Sequence, residues 1–514
     1  MAFLSPLWYQ FLVCCFASVG SFTYGYDLGI IAQVIASESF ISFYNNPSSI
    51  DTGLVVSLFT AGAFCGAFFA GFMSEYLGRR LTITGAAIVF LFGSGLQAGA
   101  QNMKFLLSGR FIGGLGVGIF TMIIPLYQAE LAHPRIRGSV TALQQFFLGI
   151  GSLCASWIGY GCYLGFDTNN QWRVPLGIQL IPAGILGSLI FFFPESPRWL
   201  IEKGRYDEGH ATLARLMSGG DLDAPVVQVE LNDIKNAIDD DRLNRTSWLD
   251  IIKKPSNFRR VFIAVSLQGS VQMTGVSAIQ YYSPTIFAQM GLSTGRTLLY
   301  QAINSIIALI AQAFCIAFVD KLGRRWPLIL GNFGNCLCFI VGCILLAQFP
   351  PWKGEQPRSA QIGFIASTWI YNFIFSCTCG PLSWVIPAEI FNSATRSKGV
   401  AIATMTCFAM NTMIGQITDK AMNDVYYKYY YLFIICNFTN AIFFWAILPE
   451  TKGTPLEQMN NLFENAPWFV PTMKRHNYLS DFETEVKVQQ LKHEDDVKPS
   501  FSHRDEGDSV SDHA

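Results

Sequence analysis

The chain has 514 residues, 51% of them hydrophobic and only 14% charged, with 35 basic and 36 acidic side chains for a net charge of −1. A soluble domain carries about 25% charged residues, so this composition excludes an ordinary soluble enzyme and describes a chain that crosses a membrane many times. Its basic residues fall in short clusters between apolar spans, never in one patch, which leaves no basis for a nucleic-acid-binding surface.

Met1 to Tyr26 carries no basic leader, and its apolar run is too long for a signal-peptide core, so it reads as a retained first helix. Asp27, the first charged residue of the chain, lies inside that span. A carboxylate near mid-bilayer is costly and ordinarily faces a cavity with a partner. Apolar runs of about 20 residues predict six spans near 9–34, 52–73, 81–101, 105–126, 139–164 and 175–193. Six more are predicted near 260–282, 297–319, 327–348, 361–387, 398–419 and 429–448. The segment between the sets mixes both charge signs and predicts short surface helices, Asp207 to Leu216 and Val229 to Ile238 among them. The tail beyond Leu462 is polar and is expected to be largely disordered. The expected organisation is a six-helix half at 1–200, a linker at 201–258, a second half at 259–453 and a tail at 454–514.

Lys and Arg concentrate in alternate loops, at Arg79 and Arg80, at Arg135 and Arg137, from Arg198 to Arg260, at Lys321, Arg324 and Arg325, and at Arg396 and Lys398. The positive-inside rule then places these loops and both termini in the cytoplasm. The thirteen cysteines are scattered through apolar segments with no metal spacing and no paired set. They read as small buried hydrophobes, and no metal or cofactor is expected.

Three motifs recur in the same order at offsets near 250 residues. Glu75-Tyr-Leu-Gly-Arg79-Arg80 returns as Asp320-Lys-Leu-Gly-Arg324-Arg325. Pro125-Leu-Tyr-Gln-Ala-Glu130, closed by Arg137, returns as Trp384-Val-Ile-Pro387-Ala-Glu389, closed by Arg396. Pro194-Glu195-Ser-Pro-Arg198 returns as Pro449-Glu450-Thr-Lys452. The expected fold is therefore an all-α membrane protein of twelve helices in two pseudo-symmetric six-helix halves, with cargo near the midplane between them. The duplicated sets Glu75, Arg79, Glu130, Arg137, Glu195, Arg198 and Asp320, Arg324, Glu389, Arg396, Glu450 can form ion pairs across helix ends. Such a network would close the cytoplasmic side when the halves meet. Asp27 and Arg110, in Ser108-Gly-Arg-Phe-Ile-Gly-Gly, are the clearest charges within the first six spans and have opposite sign, so each is the expected partner of the other. The glycines after Arg110 suit close helix approach; no strand precedes them, as a dinucleotide loop would need.

These motifs, with Pro194-Glu-Ser-Pro-Arg-Trp-Leu200 and Tyr281-Tyr-Ser-Pro284, resemble the sugar porter family of the major facilitator superfamily, its fungal members in particular, from about Tyr24 to Gly453. The resemblance implies a carrier of sugars or sugar-like polyols. It implies that Asp27 and Arg110 are a proton-coupling pair, an aspartate that also occurs in family members that move no protons. It places cargo contacts at Gln145, Gln268, Gln272, Ser277, Trp384 and Asn411, of which Gln268 and Gln272 lie one turn apart on a single helix face. The chain departs from the pattern at Val271, Ser277, Ala308 and Cys407, where the family has amides or other polar residues. Each lost amide removes hydrogen-bonding capacity of about 0.5–1.5 kcal/mol, so a pocket less polar than a glucose site is expected.

The expected function is proton-coupled secondary transport of a sugar or sugar-like solute by a monomer in the plasma membrane. The alternatives are a carrier, possibly an exporter, for quinate, a sugar acid or another less hydroxylated metabolite, and a sugar sensor that does not transport. No nucleophile–base pair or metal motif supports an enzyme.

Overall fold

The computed structural model describes residues 5–132, 137–243, 253–353, 356–391, 393–452, 462–463 and 467–472, with a few helical side chains, including those of Arg137 and Asp320, also outside the description. The polar tail beyond 472 lies outside the described residues. The chain divides into a unit at 1–465 and a short one at 466–514, whose described part holds a 3-10 turn at Val470–Thr472.

Every described element of the large unit is helical, as lipid requires of a chain that must satisfy its backbone polar groups internally. The first half comprises α1 (Pro6–Ala17), α2 (Val19–Ala36), a short α3 (Glu38–Phe43), α4 (Ser49–Leu77), α5 (Arg79–Ala98), α6 (Met103–Leu131), α7 (Arg137–Gly165), α8 (Asn170–Ile178) and α9 (Leu180–Leu189). Surface helices α10 (Pro197–Glu202), α11 (Tyr206–Met217) and α12 (Pro225–Leu243) follow. They pack on a small apolar core of their own that includes Ile201, Leu213, Val227 and Ile238. The second half comprises α13 (Pro255–Gln272), α14 (Val276–Ala288), α15 (Thr294–Leu322), α16 (Arg325–Gln348), α17 (Arg358–Cys377), α18 (Cys379–Ile390), α19 (Ser393–Val425) and α20 (Tyr429–Ile447).

By length and hydropathy there are 11 apolar spans among the described residues, the last running from Lys398 to Ile447. That span contains both α19 and α20, separated by a 3-10 turn at Tyr426–Lys428, so the twelve crossings expected from the sequence are present. Four crossings are broken where hydropathy shows nothing. The breaks fall at Ser18, at Gln179, at 273–275 and at Thr378. Two have a visible cause: Gly275 adopts φ 95°, and Thr378 leaves helical geometry while its hydroxyl donates to the Ile374 carbonyl at 2.7 Å. A break leaves hydrophobicity unchanged, so the sequence reads each as a continuous span.

Within the first half α6 packs between α4 and α5, and α2 packs on α7; in the second, α16 packs on α17 and α20, and α13 on α19. The halves meet where α4 lies on α19, α7 on α15 and α2 on α14. The contact of α4 with α6 is close enough that a methyl at Gly114 would fall 2.0 Å from the Phe59 carbonyl oxygen. This approach sets Phe59 beneath Arg110.

Candidate functional site

Asp27 of α2 and Arg110 of α6 are both fully buried and face one another. Arg110 donates from Nη1 to both carboxylate oxygens of Asp27, at 2.7 and 2.8 Å, and from Nε to the Val55 carbonyl at 2.8 Å. Its guanidinium lies 4.1 Å from the Phe59 ring centroid, so the aromatic face supplies a further attraction. Behind it, Gln97 Oε1 stands 3.4 Å from both Arg110 Nη1 and Gln179 Nε2, and Gln97 Nε2 donates to the Gly109 carbonyl at 3.1 Å. The pairing expected from the two intramembrane charges is what the structure contains. Gln97 and Gln179 extend it into a polar chain that sequence reading missed; an amide inside each of the third and sixth spans was the available signal.

A second polar group surrounds the break between α13 and α14. The carbonyl of Thr274, released from the helix by the break, accepts from Tyr371 Oη at 3.2 Å and Asn437 Nδ2 at 3.1 Å, while Asn440 donates to the Ser270 carbonyl at 3.1 Å. Buried released carbonyls must find donors, and these side chains pin the break open. At the end of α13, Gln272 donates to Cys407 Sγ at 3.1 Å and accepts from the Ser277 hydroxyl at 2.5 Å. One turn earlier, Gln268 donates to the Ser383 carbonyl at 2.9 Å, next to the half-buried Trp384. Asn411 lies one turn beyond Cys407 on α19 and faces Tyr281. Neither Tyr281 Oη nor Asn411 Oδ1 has a well-formed hydrogen bond among the described residues. Tyr24 of α2 meets Phe408 edge to face, with ring centroids 6.1 Å apart.

The structure thus gathers Gln272 and Ser277 at one helix break, with Gln268 one turn earlier on α13 bound to the Ser383 carbonyl beside Trp384, and Asn411 one turn from Cys407. Gln145 does not join them by any described contact; it is half-buried on α7, one turn before Gly149, which packs against Gln312 of α15. The residues at the family's departures behave consistently with a less polar pocket. Cys407 takes one of the hydrogen bonds of Gln272, and Asn304, one turn from Ala308, is occupied by Asn372, whose Nδ2 lies 2.9 Å from its Oδ1. Tyr281 entered the sequence reading only as part of the Tyr281–Pro284 motif, with no site role, and Gln312 not at all, because buried tyrosines and glutamines are equally ordinary core residues.

The duplicated charged motifs form two matching clamps, one at the same end of each half. Arg79 binds Glu130 through two parallel hydrogen bonds of 2.7 and 2.6 Å, and the backbone N–H groups of Arg79 and Arg80 donate to the two oxygens of Glu195 at 3.0 and 3.1 Å. In the second half Arg324 binds Glu389 at 2.9 Å, and the N–H groups of Arg324 and Arg325 donate to Glu450 at 2.9 and 3.2 Å. Glu195 and Glu450 each cap the first turn of a helix, where they meet unsatisfied donors and the positive end of the helix dipole. Each of these described pairs joins helix ends within one half. Glu75 has an exposed side chain, and among the described residues it meets the clamp through its carbonyl, which accepts from Trp199 Nε1 at 2.9 Å. Arg198 opens α10 and Arg396 donates to the Phe391 carbonyl at 3.4 Å. The expected roles of Arg137 and Asp320 rest on side chains outside the described ones.

Gly78 precedes the first clamp at φ 85° and ψ 177°, a conformation essentially restricted to glycine, and a methyl there would fall 2.9 Å from Glu195 Oε2. Gly78→Ala is expected to destabilise the protein by about 1–3 kcal/mol, read as a lower unfolding temperature in detergent. An unchanged melt would show that the clamp tolerates a side chain and does not set this turn.

Residues 13–463 match the family described as Sugar (and other) transporter. The chain is 32% identical to the MFS-type transporter criB of Aspergillus cristatus, over 87% of this chain and 92% of that one. It is 28% identical to the high-affinity glucose transporter of Kluyveromyces lactis, over 90% and 86% of the two chains. It is 32% identical to the quinate permease of Emericella nidulans, over 90% and 89%. Among solved structures it is similar to the proton:xylose symporter XylE bound to 6-bromo-6-deoxy-D-glucose, with 27% identity and a TM-score of 0.74 over 88% of this chain and 99% of that one. It is also similar to the inward-open xylose transporter XylE from E. coli, with 25% identity and a TM-score of 0.72 over 88% and 99%.

Proposed function

Since the chain belongs to the sugar transporter family of the major facilitator superfamily, we propose that it carries a sugar or sugar-like polyol across the plasma membrane together with a proton, by alternating access. The observation that carries this reading is the fully buried Asp27–Arg110 pair, held on the same α2 helix whose Tyr24 reaches Phe408 of the α13/α14/α19 group. Protonation of Asp27 would release Arg110 and let α2 shift against that group. Proton and cargo then bias one two-state element, and each tightens the binding of the other by the same factor. Gln268, Gln272, Ser277, Trp384 and Asn411 are the proposed cargo contacts, with Gln145 meeting cargo from the α7 side. The proposed orientation places both termini and the two clamps in the cytoplasm, following the basic loops, with the monomer as the working unit.

A quinate-like or other less hydroxylated cargo is the second reading, favoured by the hydrogen bond of Gln272 to Cys407 and the occupation of Asn304 by Asn372. Uptake of labelled hexoses, pentoses, polyols and cyclic acids in a transport-deficient cell tests both. Sugar uptake that rises with external acidity supports the first reading; uptake confined to cyclic acids replaces it with the second; uptake of neither overturns transport of this class. Under either cargo Trp384→Ala is expected to raise KM about three- to tenfold by removing an aromatic face. An unchanged KM would take Trp384 out of the site.

A further inference from the structure

The break at Thr378 separates α17 from α18, and Pro381, in the first turn of α18, has no N–H with which to carry the backbone ladder across it. A helix cut off from the one before it takes its direction from side-chain contacts. Those contacts come from α16, where Asn332 and Asn335 lie three residues apart on one face. Both are buried, as is Cys379, the first residue of α18. Asn332 Nδ2 donates to the Leu328 carbonyl at 2.8 Å and reaches Cys379 Sγ at 3.4 Å. Asn335 Nδ2 reaches the same sulfur at 3.9 Å, and the Thr378 hydroxyl reaches it at 3.6 Å. Gly331 permits the approach, for a methyl there would fall 2.1 Å from the Thr378 hydroxyl oxygen and 3.2 Å from the sulfur. One turn further along α18, Gln268 holds the Ser383 carbonyl at 2.9 Å, and the half-buried Trp384 follows. Two fixed points a turn apart define a direction.

We infer that Asn332, Asn335 and Cys379 are positioning residues for cargo selection: they fix the start of α18 and thereby set where the Trp384 ring stands. Trp384 lies five residues beyond Cys379, about 7.5 Å along the helix, so a tilt of about 10° at the start moves it by about 1.3 Å. A gap of about 1 Å at van der Waals contact forfeits up to about half of the attraction between the touching atoms. The three residues therefore act on cargo through the ring, without meeting cargo themselves. The inference rests on the proposed reading of Trp384 as a cargo contact, and its test includes a measurement that needs no cargo.

The test uses the full-length protein. Cys379→Ala removes the acceptor that the two amides share, and Cys379→Ser restores one in a side chain of nearly the same size. Uptake of labelled glucose, xylose and quinate is measured in sealed vesicles. Cys379→Ala is expected to raise KM for the carried compound about three- to tenfold, with a maximal rate within about twofold of the wild type, and Cys379→Ser to lie near the wild type. Trp384→Ala/Cys379→Ala should show no higher KM than Trp384→Ala, because no ring is left to place. Without cargo, protein labelled with fluorotryptophan is read by fluorine NMR, with the Trp384 resonance assigned by Trp384→Phe. That resonance should be displaced in Cys379→Ala and return in Cys379→Ser, while those of Trp8, Trp157 and Trp172 in the first half hold. Asn332→Leu, which removes the nearer donor, should displace it as well. The inference is overturned if the Trp384 resonance stays in place in both Cys379→Ala and Asn332→Leu, if Cys379→Ser behaves as Cys379→Ala does, or if the KM effects of Cys379→Ala and Trp384→Ala add in full. A displaced resonance in a protein that carries none of the three compounds would support the placing of Trp384 by α16 and reject its role as a cargo contact.

Discussion

In vesicles with an imposed pH gradient, Asp27→Asn is expected to exchange cargo down its concentration gradient and to lose all accumulation against it. Asparagine presents a neutral amide where the protonated acid would stand, so the variant occupies only one of the two states between which Asp27 and Arg110 would switch. The wild-type contact is charge-assisted and wholly buried, with Nη1 of Arg110 2.7 and 2.8 Å from the two oxygens. A contact of that kind cannot be diluted by salt or water, which makes protonation the means of release. The dependence of uptake on external pH should vanish with accumulation. Wild-type protein that ignores the gradient would make this a facilitator and reduce the pair to a structural role.

Arg110→Ala is expected to be the most destabilising single change in the first half, by about 3–5 kcal/mol, because it leaves a buried carboxylate without its cation. The Val55 carbonyl and the Phe59 face lose their partner at the same time. Adding Asp27→Asn should recover much of the loss, so the two substitutions should couple strongly in a double-mutant cycle read by thermal unfolding in detergent. Additive costs would show that the two side chains do not stabilise one another, whatever their distance.

The halves, the order of the crossings and the buried pair were legible because each rests on a signal that burial in lipid enforces. Long apolar runs have no alternative to spanning, and two opposite charges within such runs have no other solvent. The clamps were legible as a repeat, but not as pairs internal to each half: a motif records which charges are present, while their partners depend on which helix ends converge. Glu75 is the instructive case, a residue at a motif position whose described contact is made by its backbone carbonyl, to Trp199. The breaks at 273–275 and Thr378 escaped because hydropathy is blind to backbone geometry, although Gly275 marks one of them. The hydrogen bonds between α4 and α19, such as those of Ser57 to Gln416 and Thr60 to Thr412, escaped because serine, threonine and glutamine in an apolar helix bond equally well within their own helix. Only the facing residues distinguish a seam from a solvated backbone.

The clamps tie the ends of several helices within each half, so each half is a stiff lever. A helix such as α6, with 29 residues, spans about 44 Å at 1.5 Å per residue, giving an arm of about 22 Å on either side of a mid-membrane fulcrum. A rigid-body rotation of about 15°, typical of such switches, carries the tip of that arm through about 6 Å. The stroke is about twice the 2.9 Å between Asn423 Nδ2 and the Ser49 hydroxyl, where the end of α19 meets the start of α4, so that contact has no half-engaged position. Stiffness at the clamped end makes contact at the far end all or none, and the lever has two rest positions with nothing held between them.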